Sequence, residues 1–284
     1  MSDETADRDR GVTGKTMVYD GDCPMCKGIS AAFVRLGMFP ESERRPYQAY
    51  EGELATRLWE AEIRNEIVIL DSASGEIRSG AAGILWMLGS TWVGPVARVL
   101  AIRPLSDLVT LGYRLFAYNR RFVSVPRPMG IACACDPDEK PGYQVGFIAL
   151  ASIFAAAVVA SAFRAWNPDA FLGRTLALEW SQVLLAAIAV ASLPRPVGIR
   201  YLGHLAATAA YVAAFALPTL VLAFVPGTGT IVRWLLGLTA AFAVVWAMRA
   251  FHRRVAYLEL SMRWYVGFVL AVVVGVAGVL ALGR

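Results

Sequence analysis

The chain has 284 residues, is 57% hydrophobic with a mean hydropathy of +0.52, and carries a formal net charge of +5. It is long enough for two domains and too apolar for an ordinary soluble protein. Residues 1–142 hold 17 Lys and Arg against 19 Asp and Glu, a net of −2, whereas residues 143–284 hold 10 Arg against three acids, a net of +7. The basic excess therefore sits in the apolar half as arginines flanking membrane spans, and a nucleic-acid-binding face, which needs basic and aromatic residues on a soluble domain, is excluded.

Residues 1–14 are polar and predict a disordered N-terminus. They contain no apolar run of the kind a secretory signal needs, so the domain that follows is expected on the cytoplasmic side, where thiols stay reduced. Lys15–Asp20 reads as a buried strand, and Pro24–Gly37 as a helix with Cys26, Ile29, Phe33 and Leu36 on one face. Arg45–Tyr50 is a second strand and Glu51–Arg64 a helix with Leu54, Leu58 and Ala61 aligned. Glu66–Asp71 is a strand, Ser72–Gly75 a turn and Glu76–Arg78 a returning strand, which predicts a hairpin. Gly80–Leu88 and Pro104–Phe122 read as helices. The order β-α-β-α-β-β-α predicts a thioredoxin-like α/β domain over residues 15–135.

Cys23-Pro24-Met25-Cys26 falls at the junction of the first strand and the first helix. A thiol at a helix N-terminus meets unsatisfied N–H groups and the positive end of the helix dipole, and both favour the attacking thiolate. Cys23 is expected to be the exposed attacking thiol, and Cys26, one turn on, the buried resolving thiol. Lys27 would support the thiolate and Asp22 oppose it. Arg120 and Arg121 end the last helix, either complementing its C-terminus or lining the site or touching anionic lipid. Cys133 and Cys135 lie among prolines before the membrane half, as an accessory redox pair, as metal ligands or without chemistry. A four-thiolate zinc site of Cys23, Cys26, Cys133 and Cys135 is the alternative, although a one-residue spacing is unusual for structural zinc.

Tyr19-Asp20-Gly21-Asp22-Cys23-Pro24-Met25-Cys26 resembles the Tyr-Asp-Gly-x-Cys-x-x-Cys opening of the DCC family of thiol-disulfide oxidoreductases. Gly80-Ala81-Ala82 is similar to that family's middle block. Pro104-Leu105-Ser106-Asp107, followed by Tyr113, Ala117, Asn119 and Arg120, is similar to its closing helix. The resemblance covers residues 15–135 and implies a thioredoxin-like fold with Cys23 and Cys26 as a redox-active disulfide, without a bound cofactor or metal, acting on a protein or small-molecule thiol or disulfide. One departure from thioredoxin proper is that Asn65 and Glu66, not a cis-proline, precede the third strand.

Residues 136–142 read as a polar linker, and residues 143–284 as a transmembrane bundle of about five helices, near 143–163, 174–193, 200–224, 229–248 and 262–282. Arginines cluster at Arg195 and Arg200 and at Arg249, Arg253, Arg254 and Arg263. Both loops are therefore expected inside, with the N-terminal domain cytoplasmic and the protein integral to the plasma (inner) membrane. Glu179, an intramembrane acid near an interface, is a functional candidate that can also snorkel or pair with Arg174, and His204, expected in the third span, is a candidate for a quinone or proton role. A transporter or quinone-binding unit regulated by the redox domain is a further alternative, although the spans carry no paired charges or metal-ligand cluster that would support it. His252 is expected in a solvated basic loop. No cysteine falls in a span, so a thiol relay across the bilayer cannot run through this chain alone. The sequence does not define an oligomeric state.

Overall fold

Side-chain alternation builds the first unit. The computed structural model describes residues 14–124, 137–166, 169 and 171–281, and divides into two compact units, Met1–Tyr143 and Gln144–Arg284. In the first, β1 (Lys15–Tyr19), β2 (Arg44–Pro46), β3 (Val68–Asp71) and β4 (Ile77–Ser79) form one sheet in the order β2-β1-β3-β4. β1 pairs parallel to β2 and antiparallel to β3, and β3 pairs antiparallel to β4. Successive residues of a strand point to opposite faces. Met17 and Ile69 accordingly join Phe39 and Met87 on one side, while Val18, Val68 and Leu70 join Leu58 and Ile63 on the other. The first side is covered by α1 (Pro24–Arg35) and α3 (Gly80–Leu88), the second by α2 (Gly52–Glu60). Helices on both faces explain why β1 is buried from Thr16 through Tyr19.

The expected hairpin forms. Asp71 closes its turn by accepting the N–H groups of Ala73 and Ser74 at 2.9 and 3.0 Å, with Gly75 at φ +69. Other boundaries differ from expectation. β2 is shorter and earlier than Arg45–Tyr50, because the chain turns into a 3-10 segment at Tyr47–Ala49. The helix expected to reach Arg64 stops at Glu60, where Glu62 adopts φ +68 and its carbonyl takes the N–H groups of both Asn65 and Glu66. A helix not expected from the sequence, α4 (Gly94–Leu100), precedes α5 (Leu105–Ala117), and a break at Tyr118–Asn119 separates α5 from the short α6 (Arg120–Val123).

The segment read as a linker is fastened to this unit where it is described. The Asp138 N–H donates to Asn65 Oδ1 at 2.9 Å, Lys140 Nζ donates to the Tyr118 hydroxyl at 3.1 Å, and Tyr143 stacks on Tyr118 at 5.0 Å.

Among the described residues five helices are long and apolar enough to cross a membrane: α7 (Pro141–Trp166), which enters the second unit at Gln144, and, wholly within that unit, α8 (Phe171–Ser192), α9 (Arg195–Leu222), α10 (Gly229–Tyr257) and α11 (Met262–Ala281). Their interior joins Leu185, Tyr201, Leu205, Phe251 and Phe268 in one cluster. Small residues allow close approach: a Cβ on Gly275 of α11 would come within 2.8 Å of Ser181 Oγ on α8. Arginines expected in loops belong to helix ends, Arg195 and Arg200 to α9 and Arg249, Arg253 and Arg254 to α10. His252 likewise lies on α10, edge-on to Tyr265 at 5.0 Å.

Candidate functional site

Cys23 is the N-cap of α1. Its Sγ accepts the Cys26 backbone N–H at 3.3 Å, and Pro24, which has no N–H to offer, occupies the first turn. The cap is fixed from behind by the Cys23 N–H bonding to the Asp20 carbonyl at 3.3 Å and by the Ser30 hydroxyl bonding to the Cys26 carbonyl at 2.8 Å. Both cysteines are free thiols. Both are also buried, Cys23 at 7% exposure and Cys26 at 5%. Cys23 is thus not the exposed thiol the sequence suggested, because it packs with Tyr19, Cys26 and Met25 in a small apolar cluster.

Two charged side chains outside the motif act on this pair. Arg120, at 4% exposure, donates to the Arg64 carbonyl at 2.7 Å and lies 4.0 Å from Asp20, itself at 2%. Arg120 is the first residue of the four-residue α6, and its guanidinium meets the Arg64 carbonyl and the Asp20 carboxylate. The hydrogen bond from the Cys26 thiol brings the Cys23 thiol down from 9.0 to about 6, against burial, with further lowering from the Cys26 N–H and Arg120 and opposition from Asp20. The Cys26 thiol is driven the other way, chiefly by donating that bond and then by burial. One thiol is thus prepared to ionise while its neighbour holds the proton.

Lys27 is exposed, and the positive side chain acting on Cys23 is Arg120. Asp22 is exposed as well, and the opposing carboxylate is Asp20. Gln48 was not singled out from the sequence. Its Nε2 bonds Asp20 Oδ1 at 3.1 Å and Asp22 Oδ2 at 3.2 Å, while its Oε1 accepts the Gly21 N–H at 3.0 Å. A Cβ at Gly21 would come within 2.7 Å of that Oε1, which accounts for glycine in Tyr-Asp-Gly. Arg44 was missed too. It lies over the Tyr19 ring at 4.5 Å and donates to Ser30 Oγ at 2.8 Å, tying β2 to α1.

The segment before β3 is used internally. The Ile67 N–H donates to the Tyr113 hydroxyl at 2.7 Å, and the Ile67 carbonyl accepts from Gly80 at 2.8 Å. Burial raises the Tyr113 phenol above its ordinary range, so it stays protonated. Gly80 stands at φ +62, and a Cβ there would fall 2.0 Å from the Glu66 carboxylate, which also binds Arg114 at 3.2 Å. Residues from the three blocks of the sequence resemblance therefore adjoin: Asp20 with Arg120, and Gly80 with Tyr113.

Cys133 and Cys135, and the expected disordered N-terminus up to residue 13, lie outside the described residues. Among the described residues no group of three His, Cys, Asp or Glu side chains could hold a metal ion. In the apolar unit, Glu179 makes no ion pair with Arg174, from which it is separated by five residues, a spacing that puts the two on different faces of α8. His204 is buried on α9, and its Nδ1 meets Arg254 Nη1 of α10 at 2.9 Å. Arginine can only donate, so His204 Nδ1 is the acceptor there. Comparison of the chain with protein-family models, with curated proteins and with solved structures gives no match to any of them.

Proposed function

We propose that this protein is a membrane-anchored thiol-disulfide oxidoreductase of the DCC type, with a thioredoxin-like domain carrying a Cys23–Cys26 redox pair. The observation that carries the reading is Cys23 Sγ as the N-cap acceptor of α1, with Cys26 as its hydrogen-bond donor and Arg120 acting on it electrostatically. The β2-β1-β3-β4 order, the antiparallel β3 and the helices on both faces support the thioredoxin-like part.

In the forward direction, the Cys23 thiolate attacks one sulfur of a substrate disulfide. The S–S bond breaks, the departing substrate sulfur takes up a proton, and Cys23 is left in a mixed disulfide. Cys26 then gives up its proton and attacks Cys23 Sγ. The second substrate sulfur leaves as a thiol, and a Cys23–Cys26 disulfide remains. Two electrons have passed from the dithiol to the substrate, and a thiol reductant must return them. Run backwards, the same steps oxidise a substrate dithiol. Because Cys23 is buried, the substrate sulfur must displace part of the Tyr19–Met25 cover.

The arginine-rich ends of α9, α10 and α11 support an orientation with the first unit on the cytoplasmic side of the plasma (inner) membrane. The test is a trap. Cys26→Ser is expected to accumulate mixed disulfides through Cys23, and Cys23→Ser none. Absence of any trapped species, together with wild-type protein inactive in disulfide reduction, would reject the reading.

A further inference from the structure

Among the described residues, the outward side of α4 and α5 and of the turns beside them is apolar and uncovered. Trp92, Val96, Val99, Ile102, Leu108 and Leu111 are each about half exposed or more. Five of the six recur at multiples of three residues, and the row runs from one helix into the next across Arg103-Pro104. The inward side is spent on packing. Gly94 and Ala97 of α4 are buried, Tyr113 of α5 reaches Ile67, and both helices pack on α3. An exposed apolar row of this kind marks an interaction surface.

We propose that this strip rests on a lipid bilayer surface. Three observations select lipid. The chain carries five helices able to cross a membrane, so a bilayer is held within reach of this unit at high effective concentration. The residues are one tryptophan and branched aliphatics, the composition of an apolar face that enters the headgroup boundary. Between them stand Arg98 and Arg103, both exposed, against Asp107 as the one acid from 92 to 111, so the strip's charge suits anionic headgroups. Asp107 lies 3.9 Å from Arg103 and offsets part of that attraction, which leaves apolar insertion as the main contribution. The proposal does not depend on the redox reading.

The full chain in nanodiscs containing phosphatidylserine and a photoactivatable, diazirine-bearing phospholipid tests it. Carbene adducts mapped by mass spectrometry are expected on peptides spanning 92–111 as well as on the five apolar helices. Leu108→Glu with Leu111→Glu places two charges on exposed positions. It should lower the 92–111 adducts about tenfold or more while those on the apolar helices and the circular dichroism stay unchanged. Adducts confined to the apolar helices would overturn the proposal, as would equal labelling of the double variant. Cross-linking of this segment between two copies without lipid adducts would also overturn it, and would assign the strip to a second copy.

Discussion

The Arg120 guanidinium lies 4.0 Å from the Asp20 carboxylate, both nearly fully buried, and this pair joins α6 to the strand that delivers Cys23. Asp20 also accepts from Gln48 at 3.1 Å and from the Asp22 N–H at 2.9 Å, so its carboxylate is contacted from three sides. Burying such a pair costs desolvation, and removing one member leaves a buried charge behind.

Arg120→Met should therefore destabilise the first unit by on the order of 3 kcal/mol. It should also move the Cys23 thiol upward, because Arg120 favours the thiolate. Arg120→Lys restores charge without the planar donor fork and should recover part of both effects. Thermal melting and thiolate ultraviolet absorbance of the two variants check this.

The pH dependence follows from the two thiols. With Cys23 lowered to about 6, its thiolate is the major form at neutral pH and is lost as pH falls through that value. Alkylation at Cys23 by a small reagent should be nearly flat above neutrality and drop about tenfold for each further unit below the midpoint. Cys26, shifted upward, should stay unreactive throughout the neutral range. Rates measured on Cys26→Ala and Cys23→Ser separate the two, and the Cys26→Ala midpoint should rise because the donated hydrogen bond is lost.

Gly80 answers to both backbone and space. At φ +62, alanine is strained by more than about 1 kcal/mol, and its Cβ would collide with Glu66. Gly80→Ala should unfold the first unit at markedly lower temperature. Glu66→Ala in the same chain should relieve the collision and leave the backbone strain, so the double-mutant cycle is non-additive.

Tyr113→Phe removes the acceptor of the Ile67 N–H and leaves a buried donor unmet, at about 1–3 kcal/mol. Hydrogen exchange at Ile67 should accelerate, with the α1 cap unaffected.

Much of this arrangement was legible in the sequence, for local reasons. The short apolar runs Met17–Tyr19 and Ile67–Leu70, the Asp71–Gly75 turn and proline after Cys23 each state their structure within a few residues. Five apolar runs likewise announce membrane-length helices. What was hidden depends on distance along the chain. Gln48 reaches Asp20 across 28 residues, and Arg120 meets Asp20 only because α5 ends at Ala117 and the chain turns at Asn119. A periodic reading carried α5 through that break and placed Arg120 at a helix end. The exposure of Cys23 was misread for another reason: its cover, Tyr19, Met25 and Cys26, is near in sequence but closes on the thiol only where the strand turns into the helix.

The most direct measurement is an equilibrium redox titration of the full chain with thiols counted by alkylation and mass spectrometry. The account predicts one reversible two-electron transition in which Cys23 and Cys26 change together as an intramolecular disulfide. Two thiols that never pair across the titration, or one tightly bound zinc per chain lost on mutating either cysteine pair, would contradict it.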